Sequence, residues 1–183
     1  MNRTDYTLAF ENASAALELY ALMHETWAAM ENKELFAVGD LDETWVREVL
    51  TPPGFAVTAR SAAGALCGML MVCFHGEGEE NLGYDIGLTG DELTGVCCLE
   101  CAAVRPEDRG HGLEHRMFIR AEERLRGMGA RHVLMTVSPY NPASLRSAQK
   151  AGYRILLTKE KYGGMLRHVL GKTIPGEDGT DGT

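Results

Sequence analysis

Three short stretches of this 183-residue sequence carry residue types and spacings that could do chemistry. The first is VCCLECAAV, residues 96–104, an apolar run interrupted by one carboxylate, Glu100. In a strand Glu100 would share a face with Cys98 and Ala102, and a carboxylate in such a run is costly unless it is paired or functional. Glu100 reads as a base that takes a proton from an ammonium, as half of a structural ion pair, for instance with an arginine, or as a strand-end group reaching solvent. The second stretch is Arg109-Gly110-His111-Gly112-Leu113-Glu114. Its glycines permit positive φ and close backbone approach. A glycine loop that opens a helix also leaves backbone N–H groups free to meet an anion. The third is Asn141-Pro142-Ala143-Ser144, with a proline suited to the first turn of a helix.

Other readings of these residues are weaker. A dinucleotide fold needs a third glycine after Gly110-x-Gly112, and a Walker loop needs Gly-Lys-Ser/Thr; neither is present. On spacing alone the loop says that an anion sits at a helix N-terminus. His111 and His115 have an i, i+4 spacing that suits zinc, but spacing supplies no third ligand, so no metal is expected. Cys98 and Cys101 form a CxxC inside the apolar run. Positions three apart in a strand face opposite sides, so buried structural cysteines are expected rather than a redox or zinc pair.

The elements that must position these residues can be read from periodicity and breakers. Residues 6–10 read as a strand. A helix follows, capped by Asn12 or Ser14, with Ala16, Leu17, Leu19, Tyr20, Met23 and Trp27 inward, and runs to about residue 32. Residues 40–50 read as a second helix with Thr44 as its cap. Strands are expected at 55–59 and 65–74, a loop at 75–91 with a weak strand at 82–86, and a central strand at 96–104. A helix follows the glycine loop, its stripe formed by Leu113, Met117, Ala121, Leu125 and Met128. Residues 132–137 are a strand, 142–150 a short helix, and 153–158 and 165–172 two strands joined at Tyr162-Gly163-Gly164. This order gives an α/β fold with a mixed sheet.

Length suits one domain, over 1–173, with a polar tail at 174–183 expected to be disordered. No apolar run reaches membrane-spanning length and no signal-like segment stands at the N-terminus, so a cytoplasmic location and no membrane partner are expected. Five cysteines in strand-like runs fit a reducing compartment. The net charge of −8 disfavours nucleic acid. Residues 1–100 hold 4 Lys+Arg and 17 Asp+Glu, net −13, whereas 101–183 hold 14 and 9, net +5. Such asymmetry suits two different ligand surfaces. Glu77, Glu79, Glu80 and Asp85 read as a solvated loop or as an acidic rim for a cationic substrate.

Val104-x-Pro106-x-x-Arg109-Gly110-x-Gly112-Leu113 resembles the acetyl-CoA motif of the GNAT N-acetyltransferase superfamily. Asn141-Pro142-Ala143-Ser144, followed by Lys150-Ala151-Gly152-Tyr153, resembles the later segment of the same family. The resemblance implies an acyl-CoA N-acyltransferase fold, α/β, with a mixed, mostly antiparallel sheet flanked by about four helices. It implies acetyl-CoA as cosubstrate and direct attack of an amine from a small molecule or peptide. Backbone groups of Ala102, Ala103 and Val104 would pair with the pantetheine arm and the thioester carbonyl. Amides of Arg109, Gly110, His111, Gly112, Leu113 and Glu114 would hold the pyrophosphate, Asn141 would touch the pantetheine, and Ser144 would line the cofactor's path. Glu100 would be the base.

Two positions depart from the family pattern. Glu114 stands where Gly or Ala is usual, and its side chain is expected to turn to solvent. Ala148 stands where many members have a tyrosine acid, which leaves Tyr140 or Tyr162, water, or an unassisted thiolate departure. The departures also permit a catalytically inactive acyl-CoA-binding sensor. Oligomeric state stays open, a homodimer included.

Overall fold

The computed structural model of the chain describes residues 5–38 and 41–175. Seven strands form one sheet in the order β1-β2-β3-β4-β5-β7-β6. They are β1 (Thr7–Glu11), β2 (Phe55–Arg60), β3 (Leu66–Cys73), β4 (Val96–Val104), β5 (His132–Val137), β6 (Arg154–Lys161) and β7 (Met165–Thr173). Every neighbouring pair is antiparallel except β4 and β5, which run parallel. A parallel pair needs a crossover, and α3 (Leu113–Gly127) supplies it. The other α-helices are α1 (Ala16–Ala28), α2 (Glu43–Val49) and α4 (Pro142–Lys150).

The sheet is covered on both faces, which is why β4 is apolar on both of its own. On one face Leu19, Leu22 and Met23 of α1 and Val46 and Leu50 around α2 pack on Met69, Met71, Cys98 and Cys101. On the other, Leu113, Met117, Phe118 and Leu125 of α3 and Ala148 of α4 pack on Val57, Leu70, Cys97 and Leu99. All five cysteines are free and buried.

The feature that shapes the site is a bulge in β4. Met71 of β3 faces Cys101, but the next residue, Val72, faces Leu99. Glu100 is the extra residue, and a bulge of this kind reverses the inward–outward alternation beyond it. Cys98 and Cys101 therefore lie in the same core layer, not on opposite faces, and Ala102 joins the layer of Cys97 and Leu99. Glu100 does not share a face with both Cys98 and Ala102. The parallel ladder to β5 also ends here, at Leu99 paired with Met135. Beyond it β5 pairs only with β7. The two central strands part at the bulge, and the β5-side edge of residues 100–104 is left without a strand partner.

Elsewhere the structure moves several expected boundaries. Asn12 caps a single 3-10 turn that leads into α1, and α1 ends at Ala28. Leu17 is 64% exposed, and Leu22 takes its inward place. Asp42, not Thr44, caps α2 by accepting from the Trp45 amide. Residue 40 lies outside the described residues. The segment at 82–86 is a 3-10 turn, not a strand. Ile174, placed with the tail in the sequence reading, is buried and its amide donates to the Arg131 carbonyl. The rest of that expected tail, from 176, lies outside the described residues. Among the described residues no helix is long and apolar enough to cross a membrane.

Candidate active site

Glu100 leaves the bulge toward the end of β3. Its Oε1 lies 2.7 Å from His75 Nε2 and accepts from Cys73 Sγ at 3.3 Å. Both Glu100 and His75 keep about a fifth of their side-chain surface open, at 21% and 18%. The partner is therefore a histidine, not an arginine. The hydrogen bond to Glu100 raises the His75 pKa above its ordinary value, against an opposing effect of burial. Burial pushes the Cys73 thiol up, so it stays protonated. The three ligand-type atoms lie within 4.8 Å of one another. Their 2.7–3.3 Å spacing is that of direct hydrogen bonds, whereas atoms around a shared zinc sit about 3.3–3.6 Å apart. As it stands the trio is a hydrogen-bonded cluster of ionisable side chains.

The His75–Glu100 pair has a testable signature. Because the folded imidazole binds its proton more tightly than an unfolded one, the pair stabilises the fold below about pH 6.5. That contribution is lost as pH rises through the raised folded value. His75→Gln is expected to lower Tm by about 2–4 °C at pH 5.5 and by clearly less at pH 8.5, read by thermal melts at both. An equal drop at both pH values contradicts the pairing.

At the far end of β4 a 3-10 turn, Pro106–Asp108, leads into the glycine loop. Gly110 has φ +82° and Gly112 φ +69°, and nothing lies within 4 Å of a Cβ built on either. Both glycines are thus required by backbone conformation, and the space over them is open. The Arg109 amide is engaged with the Pro106 carbonyl at 3.4 Å. Among the described residues the amides from Gly110 to Glu114 have no backbone acceptor. They open a 15-residue helix, so their free N–H groups and the helix dipole together favour an anion at this end. Tyr6 braces the loop, its hydroxyl donating to Asp108 Oδ1 at 2.7 Å.

The Glu114 side chain does not turn to solvent. Its Oε1 accepts from Ser144 Oγ at 2.7 Å, and burial between the helices raises its pKa. Glu114 thus ties α3 to α4, and the Ser144 hydroxyl is committed to it. Asn141 accepts from the Ser144 amide and caps α4. Ala148 is fully buried. Tyr140 stands 62% exposed. Tyr162 is placed differently. It is the one non-glycine residue with positive φ (51°) among the described residues, at the turn between β6 and β7. Its hydroxyl is 3.0 Å from Thr136 Oγ1 on β5, and the phenol is within electrostatic reach of Glu100. Burial of the hydroxyl end pushes its pKa up to about 12, so it remains a donor at neutral pH.

Carboxylate, backbone edge and amide cradle thus follow one another along a single strand and the helix it feeds. A family model described as "Acetyltransferase (GNAT) family" matches residues 16–153. The chain belongs to the GNAT acetyltransferase family. Solved GNAT structures share its fold. A phosphinothricin acetyltransferase from Sinorhizobium meliloti, in complex with acetyl-CoA, aligns with TM-score 0.71 and 15% identity over 97% of this chain and 93% of its own. The yncA protein of Salmonella typhimurium, with its cofactor acetyl-CoA, aligns at 0.67 and 14% over 98% and 100%. AAC(6')-Ib, in complex with ribostamycin and coenzyme A, aligns at 0.66 and 16% over 92% and 93%. No curated protein matches the sequence.

In this GNAT chain the acidic loop after β3 is only partly a free rim. Asp85 pairs with Lys159 and Lys161 of β6, whereas Glu77, Glu79 and Glu80 are exposed. The Asp85 pairs fasten the 75–95 segment to the hairpin that carries Tyr162. A groove of about 850 Å³ lies elsewhere, over β5, β6 and β7 between Leu134, Leu156 and Lys172. Asp85 and Gly152 line it, but Glu100, the glycine loop, Asn141 and Ser144 do not.

Proposed function

We propose that the chain transfers an acetyl group from acetyl-CoA to an amine. The observation that carries this reading is the parting of β4 from β5 at Glu100, which sets an open backbone edge between the amide cradle and the carboxylate. Amides of Gly110, His111, Gly112, Leu113 and Glu114 would hold the pyrophosphate, and the Arg109 amide would contribute only by leaving Pro106. The pantetheine arm would run along Ala102, Ala103 and Val104, completing the ladder that β5 abandons, past Asn141 at the start of α4. Ser144 would shape that path by holding Glu114 aside. The fit rests on glycines with open space above them and on amides with no backbone acceptor.

Glu100 would accept the first proton of the acceptor's ammonium, directly or through a water, with His75 sharing the charge. The freed amine attacks the thioester carbon, and a β4 amide stabilises the oxyanion. A second proton leaves nitrogen as the tetrahedral species collapses, and CoA departs as a thiolate that one proton neutralises. Tyr162, reaching across from Thr136, would hydrogen-bond that sulfur in place of the hydroxyl missing at Ala148. A readily leaving thiolate needs only modest help, so Tyr162→Phe should lower kcat by about tenfold with acetyl-CoA KM within about twofold. Unchanged kcat removes Tyr162 from this role.

The relatives with acetyl-CoA or CoA bound support the cosubstrate, and ribostamycin in one of them supports an amine acceptor. The deciding experiment is release of free CoA, followed with a thiol reagent, across amino acids, polyamines, aminoglycosides and lysine peptides. Release that requires an amine supports transfer. Heat protection by acetyl-CoA with no release from any amine would favour the sensor reading instead.

A further inference from the structure

Among the described residues one basic side chain is buried, Arg167 of β7, at 2% exposure. Among the described residues no carboxylate lies within 4.0 Å of it. Its Nη1 donates to the Leu166 carbonyl at 2.9 Å, and its Nη2 to the Glu34 carbonyl at 2.7 Å and Met165 Sδ at 3.2 Å. A guanidinium has five N–H groups, so two lack an acceptor among the described residues. Three partly buried basic residues are paired with carboxylates instead. Lys172 reaches the buried Glu122, Arg60 reaches Glu18, and Lys161 reaches Asp85. An arginine keeps its charge, and a buried charge held only by neutral dipoles is costly unless an anion completes it. The exposed Glu34 acts on it only from a distance.

Its position says what the anion would be. The guanidinium lies between the segment joining α1 to α2 and the Tyr162 ring, 5.8 Å from the ring centroid. The hydroxyl of the same Tyr162 lies 3.0 Å from Thr136 Oγ1, and the Glu100 charge acts on its phenol. Tyr162 thus links an acid, whose charge acts on its phenol, to a cation beside its ring.

We propose that Arg167 receives a carboxylate of the acceptor, so that the substrate class is a small amino-acid-like molecule whose amine faces Glu100 while its carboxylate faces Arg167. This rests on the acetyl-transfer reading and names the acceptor within it. The acid and the cation together match a zwitterion, and a plain polyamine would place a second positive charge beside Arg167. Charge-assisted hydrogen bonds from arginine suit a carboxylate in a site that excludes water.

CoA release is measured for α-, β- and γ-amino acids, each against its carboxamide and its decarboxylated amine. At least one acid is expected to exceed its carboxamide in kcat/KM by roughly 30-fold or more, and Arg167→Gln should bring the two within about threefold by lowering the acid alone. Arg167 also braces the Glu34 carbonyl, so melting and acetyl-CoA protection check that the variant folds. If it does not fold, the ratio in the unmodified protein and in Arg167→Lys decides. A merely structural arginine would change stability and leave the acid-to-amide ratio alone, and that result overturns the proposal. Acetylation of amines lacking a carboxylate, with none of the acids reacting, overturns it while acetyl transfer stands. No release from any amine overturns both.

Discussion

Gly112→Glu is expected to remove measurable acetyl-CoA binding. The residue sits at φ +69° at the N-cap of α3, where any side chain is strained by roughly 1–2 kcal/mol. The introduced carboxylate would also point into the space that the free amides from Gly110 to Glu114 leave for a phosphate. Repulsion there adds to strain, and a combined loss of roughly a hundredfold or more in affinity follows. Gly112→Ala carries the strain without the charge and should cost about tenfold. The check is the Tm increase produced by acetyl-CoA, which scales with ligand concentration over Kd. The increase should vanish for Gly112→Glu and shrink for Gly112→Ala. If acetyl-CoA still protects Gly112→Glu as it protects the parent protein, the cosubstrate binds elsewhere.

Glu100→Gln should act on the other half of the reaction. The amide keeps the size of the side chain and can still bond His75, but it cannot take a proton. Loss of a positioned base costs about 10²–10⁴-fold in rate. Turnover near neutral pH should therefore fall by at least about a hundredfold, with acetyl-CoA affinity within about threefold, since Glu100 stands away from the amide cradle. The deficit should narrow as pH rises, because a growing share of the acceptor then arrives unprotonated. A variant that keeps its turnover at pH 7 would remove Glu100 from the base role and leave it a structural partner of His75.

These two residues also mark what the sequence disclosed. The glycine loop was legible because its constraint is local. Gly110 and Gly112 are required where they stand by their own φ, and Pro106 and the apolar stripe from Leu113 to Leu125 frame them. β4 and β5 were legible to the residue for a similar reason, being apolar runs bounded by glycine, proline and charge. The bulge was not legible. It exists only in the register between β3 and β4, and nothing in VCCLECAAV states which residue is skipped. The face of Glu100 and the placement of the CxxC pair were misread for that reason. His75 was missed as a functional residue because its partner is 25 positions away. The available signal was the hairpin itself, since a histidine just past the end of β3 must lie near the start of the strand paired with it. Glu114 was misdirected because a carboxylate at a helix N-terminus looks solvent-bound until Ser144 of α4 is seen beside it. Tyr162 was named, but its reach to Thr136 depends on β7 lying between β5 and β6. Arg167 passed as one residue of a strand, although a basic residue two positions before Val169, on the same side of β7, was a visible departure from an apolar face.

Balancing the reaction tests acetyl transfer at this site most directly. Protein, acetyl-CoA and an accepted amine are incubated together, and free CoA is measured against the mass of the acetylated amine. The expected result is one acetylated amine per CoA released, with both products lost together in Glu100→Gln and in Gly112→Glu. CoA released without acetylated amine, or acetyl-CoA bound with neither product formed by any amine, would contradict acetyl transfer at this site.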